Sequence, residues 1–272
     1  MVVQHNMQAV NTNRMLGTNV KAVAKATEKL SSGYAVNRAA DDAAGLSISE
    51  KMRNQIRGIN QAVKNSEDGV SLIQTAEGNM NEIHSILQRM GELATKAAND
   101  VNATEDRTAI ADEMNQLRSE IDSIANKAAF NGTKLLTGSF SNKNLQVGAN
   151  YGENMTISIN KMSTSVLGIS ANNTKVTSHA SASTAMQNIS SAIKIVSAAR
   201  SELGAIQNRL DYTINNLNNY SENLTSAESQ IRDTDMASEM TNYTKNNILQ
   251  QAAQSMLAQA NQSTQGVLSL LG

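Results

Sequence analysis

The side chains that could support catalysis or metal binding are few and scattered along this chain. The three histidines, His5, His84 and His179, lie far apart, and none forms the H-E-x-x-H pattern that places two histidines around zinc on one helix face. There is no cysteine, which excludes disulfides, thiolate metal sites and cysteine nucleophiles. No P-loop, G-x-G-x-x-G or G-x-S-x-G motif occurs. We therefore expect no enzymatic activity and no cofactor.

Asp41 and Asp42 are adjacent carboxylates that could be interpreted as an acid–base pair. Neighbouring positions of a helix point in different directions, however, so the two groups would not face one substrate. Carboxylates at a helix start beside a glycine-containing turn explain the pair better, because they complement the positive end of the helix dipole.

The composition favours a thin helical bundle. The hydrophobic fraction is 40%, but aromatic residues make up only 3%, so a core would be built from aliphatic side chains and the 13 methionines. Proline, which breaks helix interiors, is absent. The net charge of −1 argues against binding to nucleic acid or to an anionic membrane, and no apolar stretch approaches the length of a membrane span. Without a signal-peptide pattern, these features alone would indicate a cytoplasmic protein.

Two long stretches carry helical stripes of apolar residues. In the C-terminal third an apolar residue recurs every seven positions, which predicts a rod-like helix packed along one side. The residues of this seam are Ile189, Val196, Leu203, Leu210, Leu217, Leu224 and Ile231. A second stripe runs from Met52 to Leu93 with one phase slip, and a shorter one from Ile110 to Ile124, with Thr104 as an expected N-cap. The link at 99–102 would reverse the chain, so we predict a mainly α fold, a long antiparallel helical bundle or coiled coil.

The middle of the chain has a different pattern. From 130 to about 183 the helical period stops and Gly, Asn, Ser and Thr accumulate. Asn131-Gly132 indicates a tight turn, and residues 155–159 alternate as a half-buried strand does. We predict a small β-hairpin region at the tip of the bundle, far from both termini.

Both ends of the chain are apolar yet almost free of charge. Residues 246–272 contain no Asp, Glu, Lys or Arg, and neither do residues 1–13. A solvated helix normally carries charges on its outer face, so helices of this kind suit burial against other protein. Frayed tails are the alternative for the isolated subunit, and such tails can order on assembly. The predicted self-assembly residues are Val3, Met7, Val10, Leu249, Met256, Leu257, Leu268 and Leu271.

Four segments resemble the bacterial flagellins. They are ADDAAGLSI at 40–48, LQRMGELA at 87–94, FNGTKLL at 130–136 and the ending formed by ANQS at 260–263 and VLSLL at 267–271. They occur in the family's order and span almost the whole chain. The resemblance implies an inner terminal domain, 1–42 with 233–272, that lines a filament channel, and a bundle domain, 43–232, that contains the β segment. It also implies a minimal subunit, because 130–183 is too short for large outer domains.

The resemblance further implies where such a protein acts and what it meets. Flagellins are exported through the flagellum's own type III apparatus, so they are secreted and extracellular although no cleavable signal is visible. The implied partners are copies of the same chain, an export chaperone at the C-terminal helix, and filament cap and junction proteins. Host Toll-like receptor 5 would contact Leu87, Gln88, Arg89, Leu93 and Glu113, although Leu87 and Leu93 are equally explained as core residues. Gly91 departs from the arginine that is common there.

The predicted function is that of a structural subunit of the motility filament. A hook–filament junction protein has similar helical ends, and a coiled-coil adaptor could use the seven-residue stripe to dimerise. Both remain alternatives at this level.

Overall fold

The computed structural model describes the backbone of residues 6–271 and the side chains of residues 6–263. This part of the chain is mainly α, as predicted. Its helices are α1 (Met7–Ser32), α2 (Ala43–Ala97), α3 (Thr104–Lys127), α4 (His179–Arg232) and α5 (Met236–Leu271). Among them, no helix combines the length and apolarity needed to cross a membrane.

Two short antiparallel hairpins lie between α3 and α4. Strands β1 (Ala129–Phe130) and β2 (Thr133–Lys134) are joined by Asn131 and Gly132. The φ angles of these two residues, 47° and 77°, lie in the left-handed region. Asparagine and glycine tolerate this conformation best, which explains the tight turn predicted at this site. Strands β3 (Lys143–Gln146) and β4 (Asn154–Ile157) form the second hairpin.

The chain divides into two compact units. Unit 1 combines the residues up to Asn54 with those from Glu222 onward, and unit 2 is Gln55–Ser221. The division therefore lies within α2 and α4, whereas the sequence suggested boundaries at the turns near 42 and 233.

Unit 2 is an antiparallel bundle of the long parts of α2 and α4 with α3. Arg89 of α2 pairs with Glu113 of α3 at 2.9 Å, and Arg200 of α4 pairs with Glu77 of α2 at 3.2 Å. The apolar stripes of the three helices meet in one core, because each stripe repeats close to the helical period and faces inward. Its buried members include Ile73, Met80, Ile83, Leu87, Met90, Ile110, Met114, Ile121, Ile189, Val196, Leu203 and Leu210.

The start of α3 differs slightly from the prediction. Thr104 is the first helical residue, and the N-cap is Ala103. The side chain of Asp106 reaches back and accepts a hydrogen bond from the Ala103 N–H at 3.2 Å. A carboxylate in the first turn thus satisfies a free N–H at this helix end, and Thr104 is not needed as a cap.

The β segment is present, but its predicted position at the tip of the bundle is wrong. The α2–α3 turn forms that tip, where His179 Nδ1 lies 2.6 Å from the Ala98 carbonyl oxygen. The β3–β4 hairpin instead packs near the opposite end of unit 2. There, a Cβ atom on Gly58 of α2 would lie only 2.9 Å from the Cβ atom of Ala149.

The hairpin lies along the helices because two strands alone bury too little surface to be stable in water. Met155 and Ile157 of β4 are buried, while Asn154 and Thr156 are exposed, so one face of the hairpin joins the helical core. The segment that follows adds further buried residues, and Thr164 donates to the carboxylate of Asp122 in α3 at 2.8 Å. The whole β region therefore covers the side of the bundle.

Candidate functional site

Helices α1 and α5 of unit 1 lie side by side and run in opposite directions. At one end the Asn6 side-chain amide donates to the Ala260 carbonyl at 2.9 Å. At the other end the Thr234 N–H donates to the Gly33 carbonyl at 3.0 Å, and Tyr34 forms an antiparallel bridge with Asp233. Helix α1 therefore lies beside α5 between these two contacts.

Unit 1 has almost no core of its own. Among its described side chains, the buried apolar ones are Ala26, Val36 and Ala260, and two of these are alanines. The other buried side chain among those described is the polar Ser49, whose hydroxyl donates to the Leu46 carbonyl at 3.0 Å. Since hydrophobic burial is the main driving force of folding, this unit stabilises itself poorly.

The predicted self-assembly residues are mostly exposed in the single chain. Met7 is 71% and Val10 is 62% exposed on α1, and Leu249 and Met256 are also exposed on α5, whereas Leu257 is half-buried. Val3 lies outside the described residues, and the side chains of Leu268 and Leu271 lie outside the described ones. The structure thus presents on both helices an apolar surface that the chain itself does not cover.

This surface extends beyond the residues predicted from the sequence. Further exposed apolar side chains of the two helices are Met15, Val20, Met236, Met240 and Ile248. Most of these were missed because the prediction used freedom from charge as its signal, and Met15 and Val20 stand next to Arg14 and Lys21. On α5, the spacing of Met236, Met240 and Ile248, four and eight residues apart, was the available signal. We call the exposed apolar side chains of α1 and α5 together the terminal surface.

The turn that follows α1 is held by Asp41. Its carboxylate pairs with Lys25 at 2.8 Å and also accepts hydrogen bonds from the backbone N–H groups of Arg38 and Asn37. The bond to the Lys25 ammonium, followed by the bond from Arg38, lowers the pKa of Asp41 from 3.8 to about 2. The same interaction raises the pKa of Lys25.

Asp42 has a different role from its neighbour. Its side chain accepts a hydrogen bond from the Gly45 N–H at 2.9 Å and so caps the start of α2. A Cβ atom on Gly45 would collide with this carboxylate, so the cap requires glycine at that position. The two carboxylates have separate partners, which agrees with their interpretation as structural groups.

Tyr34 is the centre of a charged cluster in unit 1 that the sequence patterns did not reveal. The guanidinium of Arg232 lies 4.8 Å and that of Arg53 5.8 Å from the centre of its ring. Both arginines pair with Glu50, at 2.6 Å and 3.7 Å, and Arg53 also pairs with Glu228 at 3.4 Å. The partners come from opposite ends of the chain, so no local sequence signal could have indicated them.

The seven seam residues of α4 have two kinds of surroundings. Ile189, Val196, Leu203, Leu210 and Leu217 are buried in unit 2. Leu224 and Ile231, which belong to unit 1, are half-buried. The first five positions therefore face an intramolecular core.

The residues that match the family's receptor-recognition positions also include both buried and exposed side chains. Leu87 and Leu93 are 0% and 3% exposed, so they pack in the core and cannot touch a partner of the folded chain. This corrects their assignment as contact residues. Gln88, Arg89 and Glu113 are exposed, and Arg89 also pairs with Glu92 at 3.1 Å. The hydrogen bonds that Arg89 donates to Glu113 and Glu92 raise the pKa of its guanidinium.

Within the described residues, no group of three or more His, Asp or Glu side chains is placed to hold a metal ion. The geometry of unit 1 is instead that of a surface: two antiparallel helices with exposed apolar side chains, closed at one end by salt bridges.

Comparison with known proteins identifies the family. Residues 3–141 match the family model described as the bacterial flagellin N-terminal helical region, and residues 186–271 match the one described as the bacterial flagellin C-terminal helical region. The flagellin of Halalkalibacterium halodurans is 52% identical over 271 residues, with 100% of both chains covered.

Solved structures agree with this result. The crystal structure of Bacillus cereus flagellin is similar with a TM-score of 0.51 and 32% identity, over 57% of this chain and 88% of that one. A putative flagellar hook-associated protein from Vibrio parahaemolyticus has a TM-score of 0.60 over 71% of this chain and 100% of its own, but at 16% identity it shows the fold alone. The two family models and the full-length identity decide the assignment: this chain belongs to the bacterial flagellins.

Proposed function

We propose that the chain is the structural subunit of a flagellar filament and that it polymerises through the terminal surface. The observation that carries this proposal is the contrast within unit 1, where two long helices pair and yet, among the side chains described up to residue 263, leave most of the apolar ones exposed. Large apolar side chains left exposed in such number on two paired helices favour an interaction site. Neighbouring copies of the chain would supply the missing cover.

Burial in a polymer would also account for the composition of α5. After Lys245 the helix has no charged residue, so its packing against other copies would leave no charge without a partner. Each apolar Å² removed from water contributes roughly 25 cal/mol, and many copies of one surface add these small terms together. A helix with a charged outer face would lose this advantage.

The location and further partners belong to the same proposal. We infer an extracellular filament used for swimming, reached by export through the flagellum's own apparatus. An export chaperone would cover the uncharged part of α5 before assembly, and cap and junction proteins would meet the terminal helices at the filament ends. Gln88, Arg89 and Glu113 remain the accessible candidates for contact with Toll-like receptor 5.

The two alternatives fit less well. A coiled-coil adaptor would need a free seam on α4, but Ile189 to Leu210 are used in the core of unit 2. A junction protein shares the helical fold, yet the 52% identity over the full length is to a flagellin. The family is a structural one, and we propose no catalytic role for this member.

Deletion of residues 246–272 tests the proposal. We expect the shortened chain to remain monomeric and to keep the folded unit 2, but not to form filaments under precipitating salt, as judged by electron microscopy. A finer test is Leu249→Asp, which places one charge on the terminal surface and should also prevent polymerisation. Tyr151→Asp, at a fully exposed apolar residue of the β3–β4 turn in unit 2, is the control and should still polymerise. Long filaments from the shortened chain would refute the role of this surface.

A further inference from the structure

Ten of the twelve described methionines lie in two contrasting environments, and the other two, Met52 and Met186, are half-buried. Five of those described are exposed, Met7, Met15, Met236, Met240 and Met256, and all five lie on α1 or α5 in the terminal surface. Five others, Met80, Met90, Met114, Met155 and Met162, are at most 6% exposed, and all of these lie in the core of unit 2. The reactive thioethers are therefore concentrated where the proposed polymer contacts form.

The thioether of an exposed methionine reacts with peroxides. The sulfur gives two electrons to hydrogen peroxide and takes one of its oxygen atoms, so that methionine sulfoxide and water are formed. The product is polar and stiffer than methionine, and it adds a strong hydrogen-bond acceptor to an apolar side chain. The chain has no cysteine and no tryptophan that would compete for the oxidant.

The effect on assembly follows from burial. In the free subunit the five sulfoxides would remain in water, where their oxygens are hydrated, so the fold of the single chain has little to lose. In a polymer each would be buried in contacts that fit an apolar thioether, so no donor would be positioned for the sulfoxide oxygen. A buried acceptor without a donor destabilises the contact by its whole desolvation cost.

We propose that these five methionines form a peroxide-sensitive modification site that controls polymerisation. Oxidation of the free subunit leaves unit 2 folded and prevents entry into the filament. Within the filament the same sulfur atoms are covered and protected. This inference rests on the proposed function, because it requires that the terminal surface be buried in the polymer.

The first experiment maps the reaction on the full-length monomer. Hydrogen peroxide is added in graded amounts, and sulfoxides are located by peptide mass spectrometry. We expect the five exposed methionines to be oxidised before the five buried ones, with the core of unit 2 still folded by circular dichroism. Oxidation of Met80 or Met114 at the same rate as Met7 would overturn the proposal.

The second experiment measures the critical concentration for salt-induced polymerisation before and after oxidation. We expect a rise of at least about tenfold, the effect of one unpaired buried polar group. Treatment with the two methionine sulfoxide reductases, which reduce the two sulfoxide epimers, should reverse it. An unchanged critical concentration in the fully oxidised monomer would refute the proposal.

A variant with all five residues changed to leucine provides the matched control. Leucine has a similar volume and cannot be oxidised. Each protein is compared with its own untreated sample, so any effect of leucine on assembly itself cancels. We expect the ratio of critical concentrations after and before peroxide to be large in the natural protein and close to one in the variant. Equal ratios in the two proteins would show that the sensitive groups lie elsewhere.

The outcomes separate this inference from the function on which it rests. If the untreated protein forms no filaments, the proposed function fails. If it forms filaments and oxidation leaves the critical concentration unchanged, only the present inference fails. Preformed filaments should be oxidised at the five positions at least about tenfold more slowly than monomers, as expected for buried thioethers; equal rates would show that the polymer leaves these side chains exposed.

Discussion

At the scale of single residues, unit 1 depends on a few polar groups because apolar burial is scarce there. Asp41 joins α1 to the turn that follows it, through the Lys25 ammonium and two backbone N–H groups. Tyr34 lies against two arginines that share a carboxylate. Such groups contribute less than a packed core, but they specify which chain segments meet, since ion pairs and hydrogen bonds need partners of matching charge and geometry.

The pH dependence of unit 1 should reflect Asp41. Because folding lowers its pKa to about 2, the contribution of this carboxylate is fully present above its ordinary pKa of 3.8 and is lost as the pH falls through about 2. Lys25→Met should move the titration midpoint of the Asp41 carboxyl upward, toward 3.8. The midpoint can be measured from the carboxyl ¹³C chemical shift.

Lys21→Met is the matched control for this titration, because Lys21 lies one helical turn away on α1 and is not among the groups that shift the pKa of Asp41. It should leave the midpoint near its natural value. A midpoint unaffected by Lys25→Met would show that the Lys25 ammonium does not hold this carboxylate.

At the scale of elements, the stripe of α4 shows how a sequence period becomes a packed face. An apolar residue at every seventh position stays on one side of the helix over many turns. In unit 2 that side meets α2, where Gly69 leaves room for close approach: a Cβ atom there would lie 3.4 Å from Leu210 Cδ1 and 2.5 Å from Leu145 Cδ2. The β3–β4 hairpin therefore packs against α2 beside Leu210, where glycine leaves room for the Leu145 side chain.

Leu210→Asp should disrupt unit 2. Leu210 is 0% exposed, and an unpaired charge buried in its place costs at least about 3 kcal/mol of unfolding free energy. Ile195→Asp on the exposed side of the same helix is the control, with an expected change within about 0.5 kcal/mol. Denaturant unfolding followed by circular dichroism measures both. Equal stability of the Leu210→Asp variant and the natural protein would contradict the packing of the seam.

At the scale of the whole molecule, the two units differ in how they are stabilised. Unit 2 has a continuous core from three helices and the β segment, whereas the described part of unit 1 buries little besides alanines. Local stability follows local burial, so the units should open at different free energies. A weakly stabilised unit 1 that is stabilised by contacts with neighbouring copies of the chain is suited to a subunit of a polymer.

Hydrogen exchange should reveal this difference. In the monomer, amides of α1 and of α5 up to residue 263 should exchange at least about a hundredfold faster than those of residues 73–93 in the core of unit 2. In filaments the same amides of α1 and α5 should become protected. Mass spectrometry of exchanged peptides gives both rates, and the core peptides serve as the internal control. Equal exposure of these helices to water in monomer and filament would contradict their burial by other copies.

Much of the fold could be predicted from sequence because it is encoded locally. The stripes of α2 and α4, the Asn131-Gly132 turn and the turn between α2 and α3 each depend on residues close together in the chain. The position of the hairpin could not be predicted in this way. Its packing depends on Gly58 meeting Ala149, a contact between distant segments that has no period or motif.

The candidate site was predictable in part. Freedom from charge indicated Met7, Val10, Leu249 and Met256, whose exposure supports the proposed surface. The same criterion passed over Met15 and Val20, because charged neighbours on other faces of α1 obscured them. Leu87 illustrates the opposite error, since a motif match could not distinguish a core residue from a contact residue.

The long amphipathic helices and the apolar ends almost free of charge can be recognised from the order of residues along the chain. Period and composition are properties of the chain alone, and they require no knowledge of partners. The folded structure, and not the sequence pattern, shows which apolar stripe is covered from within the chain and which is left open. An apolar stripe in the sequence predicts that a helix face will be buried. Which distant segment covers that face, and whether any segment of the same chain does so, is determined by how the whole chain packs.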